Sequence, residues 1–234
     1  MVTTMHITLP SGTAAEVAYP ANPTSMATRG LVVTPDIFGL RPLYSDLIVR
    51  FANEWNMAVC AVDPFPGLEL GPDVEARFAA VPTLSDERHR ADLEAATELL
   101  RTGTSQHAGV DRVGLIGFCM GGMYCHKTAI SDSFDRIVSF YGMIHLPEAW
   151  RSATQREPLD CLRAGHADRV LAIVGERDHY TPADAVTELA GTGVAVVRYP
   201  EAEHGFAHDA ARPAHRPDDA ADAFRRAFDW LTSA

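Results

Sequence analysis

The chain has 234 residues, 47% of them apolar, and a formal net charge of −11 with the histidines neutral. That length suits one α/β domain with a sizeable core, and the acidity argues against nucleic acid or an anionic membrane as a partner. No apolar run approaches the roughly 20 residues of a membrane span. The N-terminal stretch MVTTMHITLPSG lacks a basic region followed by an apolar core, so no signal peptide is expected. Four irregularly spaced cysteines (Cys60, Cys119, Cys125, Cys161) without a CxxC pair argue against a disulfide framework and a structural zinc site. The expectation is a soluble cytoplasmic protein, monomer or homodimer. Any anionic substrate would need a local Arg or His against the overall field.

Residues 5–9 and 14–19 alternate in polarity around Pro10-Ser11-Gly12, predicting a β-hairpin. Ala21 to Arg29 is a polar loop. Leu31 to Thr34 is a buried strand stopped by Pro35, and Asp36-Ile37-Phe38-Gly39-Leu40 is the loop at its carboxyl end. Apolar residues at helical spacing (Leu43, Leu47, Ile48, Phe51, Trp55) predict a helix over 42–56. Met57 to Val62 is the next buried strand, with Cys60 as core packing. Asp63 to Leu70 is a Pro/Gly-rich loop, and 71–101 are helix-forming, with Ser85 or Thr83 as an N-cap.

An apolar run (Val113, Leu115, Ile116) reads as a strand that leads into Gly117-Phe118-Cys119-Met120-Gly121-Gly122 and leaves as a helix. On that helix Cys125 is read as packing and His126 as solvent-facing. Further strands are predicted at 136–141, 169–175 and 194–199, with helices at 182–190 and 217–233. Met143 to His166, with Pro147 and Pro158, is expected to be an irregular cap. The alternation implies a mostly parallel sheet covered by helices on both faces.

Gly-x-nucleophile-x-Gly between a strand and a helix is the pattern of a nucleophile elbow, where the turn strains the nucleophile's backbone and small neighbours permit close packing. Here the nucleophile is Cys119, at a helix N-terminus that favours negative charge. A nucleophile needs a histidine to move its proton and a carboxylate to orient that histidine. Asp178 follows the next-to-last predicted strand and His204 the last, so all three can meet at one sheet edge. Asp178 could alternatively cap the next helix, and His204 could be a surface residue beside Glu203. Asp36 could simply close a turn after Pro35.

With these pieces in order, the chain resembles the dienelactone hydrolase family of α/β hydrolases. The resemblance rests on Asp36-Ile37-Phe38-Gly39, Gly117 to Gly122, Tyr141-Gly142, Gly175-Glu176-Arg177-Asp178 and Glu203-His204-Gly205-Phe206. It implies an α/β-hydrolase fold in a single domain and a Cys119–His204–Asp178 triad acting on an ester or lactone through an acyl-enzyme. It also implies an oxyanion hole from the backbone N–H groups of Ile37 and Met120. Asp36, Phe38, Tyr141, Phe206 and His208 are expected at the substrate, and no metal or organic cofactor is implied.

Two positions depart from the family's best-studied branch. Asp36 stands where that branch has a glutamate touching the thiol, and His208 where it has an arginine helping to hold a substrate carboxylate. Arg77, Arg88 and Arg90 are candidates to supply the missing cation. A thioesterase or general esterase, and a non-catalytic thiol sensor or ligand-binding protein, are the competing readings.

Overall fold

The structure, a computed structural model, describes residues 4–21 and 29–233. Most of the loop expected at 21–29 lies outside the described residues. Eight strands form one sheet: β1 Met5–Thr8, β2 Ala14–Ala18, β3 Arg29–Thr34, β4 Ala58–Val62, β5 Arg112–Phe118, β6 Arg136–Phe140, β7 Val170–Gly175 and β8 Ala195–Tyr199. Their spatial order is β1-β2-β4-β3-β5-β6-β7-β8. The expected hairpin β1–β2 is antiparallel and adds antiparallel to β4; every other pairing is parallel.

Apolar runs such as AVCAV in β4 and VLAIVG in β7 are buried along their whole length, as strands covered on both faces must be. One face is covered by α1 Pro42–Glu54 and α7 Pro217–Thr232, through Leu47, Ile48, Phe51, Phe224 and Leu231. The other is covered by α3 Asp86–Thr102, α4 Met120–Thr128, α5 Pro158–Ala164 and α6 Ala183–Gly191. Cys60 is core packing in β4, as expected. This is the α/β-hydrolase architecture read from the sequence.

Three local readings change. The helical stretch 71–101 divides into a short α2, Val74–Ala80, a 3-10 turn at Val81–Thr83, and α3, which Ser85 caps by accepting the Arg88 N–H at 3.3 Å. The segment expected to be irregular contains a 3-10 turn at Glu148–Trp150 and all of α5. Helix α5 is only 7 residues long with Pro158 in its first turn, too short to produce a periodic signal. His126 is buried instead of facing solvent, and burial pushes its pKa down to about 4.

The topology fixes where chemistry can occur. Going outward from β3, β4 lies to one side and β5 to the other, so the chain reverses its direction of sheet growth there. Loops leaving the carboxyl ends of β3 and β5 diverge at such a switch point and leave a crevice. Over that crevice a third apolar cluster gathers Ile37, Phe65, Met120, Met143, Leu146 and Trp150. No helix among the described residues is long and apolar enough to cross a membrane.

Candidate active site

Strand β5 ends at Phe118, and the next residue, Cys119, has φ 56°, a conformation that costs a non-glycine residue on the order of 1–3 kcal/mol. The surroundings enforce it. The Cys119 N–H donates to Phe140 O at 3.0 Å, which pins the turn to the end of β6. Gly121 lets α4 leave at once across β3: a Cβ there would lie 2.1 Å from Thr34 O and 2.5 Å from Pro35 O. The elbow predicted from the sequence is therefore present, with the thiol partly exposed at the N-terminus of α4.

Asp178, beyond β7, and His204, beyond β8, converge on it. The buried Asp178 accepts the Tyr180 N–H at 2.8 Å through Oδ1, and its Oδ2 lies 2.8 Å from His204 Nδ1. It does not cap α6, whose N-cap is Pro182. With Nδ1 held by the carboxylate, His204 Nε2 is buried and has no hydrogen-bond partner among the described residues. Electrostatic coupling to Cys119 is nevertheless strong. Burial lowers the pKa of His204, but the Cys119 charge and then Asp178 reverse this and raise it to about 10.

Ile37 and Met120, whose amides the sequence expects to form an oxyanion hole, both pack in the apolar cluster that Cys119 borders. Met120 opens α4, where the first N–H groups lack intrahelical acceptors. No hydrogen bond from the Ile37 N–H is found among the described residues. The Asp36–Gly39 turn around Ile37 is closed by Gly39 N–H to Asp36 O at 2.9 Å and by Phe38 N–H to Asp36 Oδ1 at 3.0 Å.

Asp36 is not bonded to the thiol. Its buried carboxylate receives Arg41 in a two-point fork, Nη1 to Oδ1 at 2.7 Å and Nη2 to Oδ2 at 3.0 Å, and lies 2.8 Å from His208 Nε2. His208 Nδ1 lies 2.5 Å from Tyr141 Oη. These bonds are all satisfied by one assignment: Tyr141 donates to Nδ1, and a neutral His208 donates from Nε2 to Asp36. Burial raises the Asp36 carboxyl, but the His208 bond and the Arg41 charge outweigh it and hold the carboxyl below its ordinary value. Burial likewise keeps His208 low, despite Asp36 beside it.

The cavity above Cys119 holds about 190 Å3 and is lined by Asp36, Ile37, Phe38, Val74, Phe78, Cys119, Met143, Trp150, Tyr180, His204 and Arg212. Phe38 and Asp36 thus stand in the cavity wall. Tyr141, Phe206 and His208 stand behind the wall, fully or nearly fully buried. Phe206 packs on Tyr199 and Tyr141, with ring centroids 5.1 and 5.6 Å apart. Arg41 and Arg212 escaped the sequence reading. Arg212 lies across Gly205, where a Cβ would come 2.6 Å from its Nη1, and no ion pair or hydrogen bond to its guanidinium is found among the described residues. Arg77, Arg88 and Arg90 are absent from the wall. A larger cavity of about 360 Å3, lined by Asp86, Arg90, Lys127, Arg156 and Cys161 among others, lies away from Cys119 and shares no lining residue with it.

Comparison with known proteins adds to this geometry. A family model described as the dienelactone hydrolase family matches residues 15–234. A Bradyrhizobium protein named as a probable 2-oxo-3-(5-oxofuran-2-ylidene)propanoate lactonase is 29% identical, over 92% of this chain and 88% of its own. The carboxymethylenebutenolidase of Pseudomonas putida is 26% identical, over 81% and 80%. Among solved structures, a protein from Klebsiella pneumoniae described provisionally as a dienelactone hydrolase superposes with a TM-score of 0.83 at 23% identity, covering 100% of both chains. A dienelactone hydrolase-like promiscuous phosphotriesterase from metagenomic libraries gives 0.73 at 19% identity, over 99% and 98%.

Proposed function

The chain belongs to the dienelactone hydrolase family and is an ester or lactone hydrolase; from that premise we propose that it works through a Cys119 acyl-enzyme on a small substrate carrying a carboxylate. The observation that carries the mechanism is the convergence of Cys119, His204 and Asp178, with the Asp178 Oδ2–His204 Nδ1 bond of 2.8 Å. The Cys119 sulfur attacks the acyl carbon, and the carbonyl oxygen becomes an oxyanion facing the Ile37 and Met120 N–H groups. His204, carrying the thiol proton, delivers it to the leaving alkoxide as the C–O bond breaks. In a lactone that alkoxide stays tethered to the acyl group. His204 then removes a proton from water, which attacks the thioester and releases the acid and the thiol. Asp178 holds Nδ1–H throughout, so that Nε2 does the proton transfer.

The cavity, about 190 Å3, is below the roughly 300–1,000 Å3 of pockets for drug-sized ligands, which favours a one-ring lactone or a short ester. Its walls are mainly apolar, and beside His204 they carry the guanidinium of Arg212, which supports recognition of one anionic group. The propanoate in the name of the Bradyrhizobium relative's substrate agrees with this.

The test is turnover of small lactones and chromogenic esters, with and without a carboxylate, together with mass analysis of quenched enzyme. Cys119→Ala and His204→Ala should each abolish turnover by orders of magnitude and by similar factors, because such groups act as a unit. Wild-type protein that hydrolyses nothing while peroxide oxidises Cys119 would support a thiol sensor instead. Near-normal turnover by His204→Ala would show that the base is wrongly assigned.

A further inference from the structure

Helix α2 forms part of the cavity wall and rests on the apolar cluster beneath it through Phe78 and Ala80. Val74 and Phe78 line the cavity, yet none of its 7 residues is buried, and Val74 is 38% exposed. Phe78 rests on Trp150, with ring centroids 5.3 Å apart. The firmest polar tie between α2 and the body of the protein is the side chain of Arg77. Its Nη2 donates to Leu70 O at 2.7 Å and its Nε to Gly71 O at 2.9 Å, closing the loop that leads into the helix. Its Nη1 donates to Ile37 O at 3.3 Å, on the far side of the crevice. The guanidinium also lies over the Phe65 ring, 5.4 Å from its centroid.

We propose that Arg77 is a positioning residue that latches the α2 wall to the loop carrying Ile37, so that the placement of that wall and the orientation of the Ile37 amide are coupled. The inference rests on the assignment of Ile37 as an oxyanion donor. The peptide before Ile37 is fixed by the Asp36 O–Gly39 N–H bond, and the peptide after it by Arg77. Ile37 is therefore held on both sides, and the second hold comes from the helix that closes the cavity. Arg77 is not in the cavity wall, which separates this role from direct contact with substrate. A planar fork with several fixed donors suits a tie among three carbonyls from two loops; a lysine ammonium on a flexible stem does not reproduce it.

Hydrogen exchange on the resting protein tests the latch without any substrate. In Arg77→Ala, peptides covering 70–80 and 36–41 should both exchange faster than in wild type, with the rest of the sheet unchanged. Arg77→Lys should fall between the two, and it serves as the test if the alanine variant does not fold. Glu75→Gln, an exposed change on the same helix, should match wild type. With a small neutral ester, kcat of Arg77→Ala should fall by roughly 10- to 100-fold with KM little changed, as expected when a donor is slightly misplaced. Unchanged exchange in both segments overturns the latch. Faster exchange in 70–80 alone, with kcat retained, overturns the coupling to the oxyanion loop. A rise in KM confined to carboxylate-bearing substrates would make Arg77 a substrate ligand and also overturn it. Should the wild type hydrolyse no ester, the exchange result still decides the latch, so the two readings fail separately.

Discussion

Replacing Asp36 with asparagine isolates the network beside the elbow. The aspartate accepts four side-chain or backbone donors: two from Arg41, one from His208 and one from the Phe38 N–H. Asparagine keeps one acceptor oxygen and presents an NH2 group in place of the other. If the NH2 faces His208, two donors oppose each other at 2.8 Å. If His208 changes tautomer to relieve this, its Nδ1–H then meets the Tyr141 hydroxyl at 2.5 Å, and that hydroxyl loses the acceptor for its proton. If the NH2 turns to Oδ1's place, the Phe38 N–H and Arg41 Nη1 lose their acceptor.

Every orientation therefore leaves a buried donor unpaired. Removing one partner of a buried charged pair costs about 3–5 kcal/mol. Arg41, 25% exposed and 3.6 Å from Asp209, can turn outward, which puts the expected loss for Asp36→Asn near about 3 kcal/mol. In a chain of this length that corresponds to a fall in Tm of roughly 6–12 °C. Urea unfolding and thermal melts at neutral pH measure it, with Asp209→Asn as the control, expected within about 1 kcal/mol of wild type because that contact is partly solvated. A stability for Asp36→Asn within about 0.5 kcal/mol of wild type would refute the network as described.

Two further outcomes follow from the site. Because the pKa of His204 is raised from 6.5 to about 10, its imidazolium should persist across neutral pH and be lost only as pH rises through the higher value. The profile of kcat/KM should accordingly hold through pH 7–9 and fall with a midpoint near 10; a profile that instead rises with a midpoint near 6.5 would show a neutral histidine in the free enzyme. Arg212→Gln should raise KM for a carboxylate-bearing lactone by roughly 10- to 100-fold, the worth of one hydrogen bond to a charged group, while a neutral ester of the same size is affected far less. Equal losses on both substrates would show that Arg212 supports the His204 loop and does not read the anion.

The convergence of Cys119, Asp178 and His204 was legible because all three obey a positional rule. Each follows a strand whose apolar run is unmistakable, so chain order alone brought Cys119, Asp178 and His204 to one edge. The cavity wall was harder to read. Trp150 and Met143 come from an irregular segment, and Phe78 sits on a helix of 7 residues, so neither period 2 nor period 3.6 marks them. Arg41 and Arg212 were overlooked for a different reason: long side chains reach their partners across a fold that sequence spacing does not encode. Tyr141, Phe206 and His208 were expected at the substrate and stand behind the cavity wall instead. Which of them meets substrate depends on which way each side chain turns, and the motif does not carry that information.

The two departures from the family pattern are better understood together than singly. Read one at a time, Asp36 is an acid too short to reach the thiol, and His208 is a lost cation. In the folded protein each accounts for the other. An aspartate bonded to a neutral imidazole needs charge from elsewhere, and Arg41 supplies it through the fork of 2.7 and 3.0 Å. That arrangement makes Asp36 a brace for the loop carrying Ile37, with its carboxylate bonded to Arg41 and His208. The loop is then stabilised from one side by Asp36 and from the other by Arg77. On the function proposed above, Arg212, over Gly205 and without an ion pair among the described residues, is the cation placed to meet the substrate. On that reading the substrate-binding cation is moved and not lost, and the chemistry proposed for the elbow does not depend on which residue supplies it.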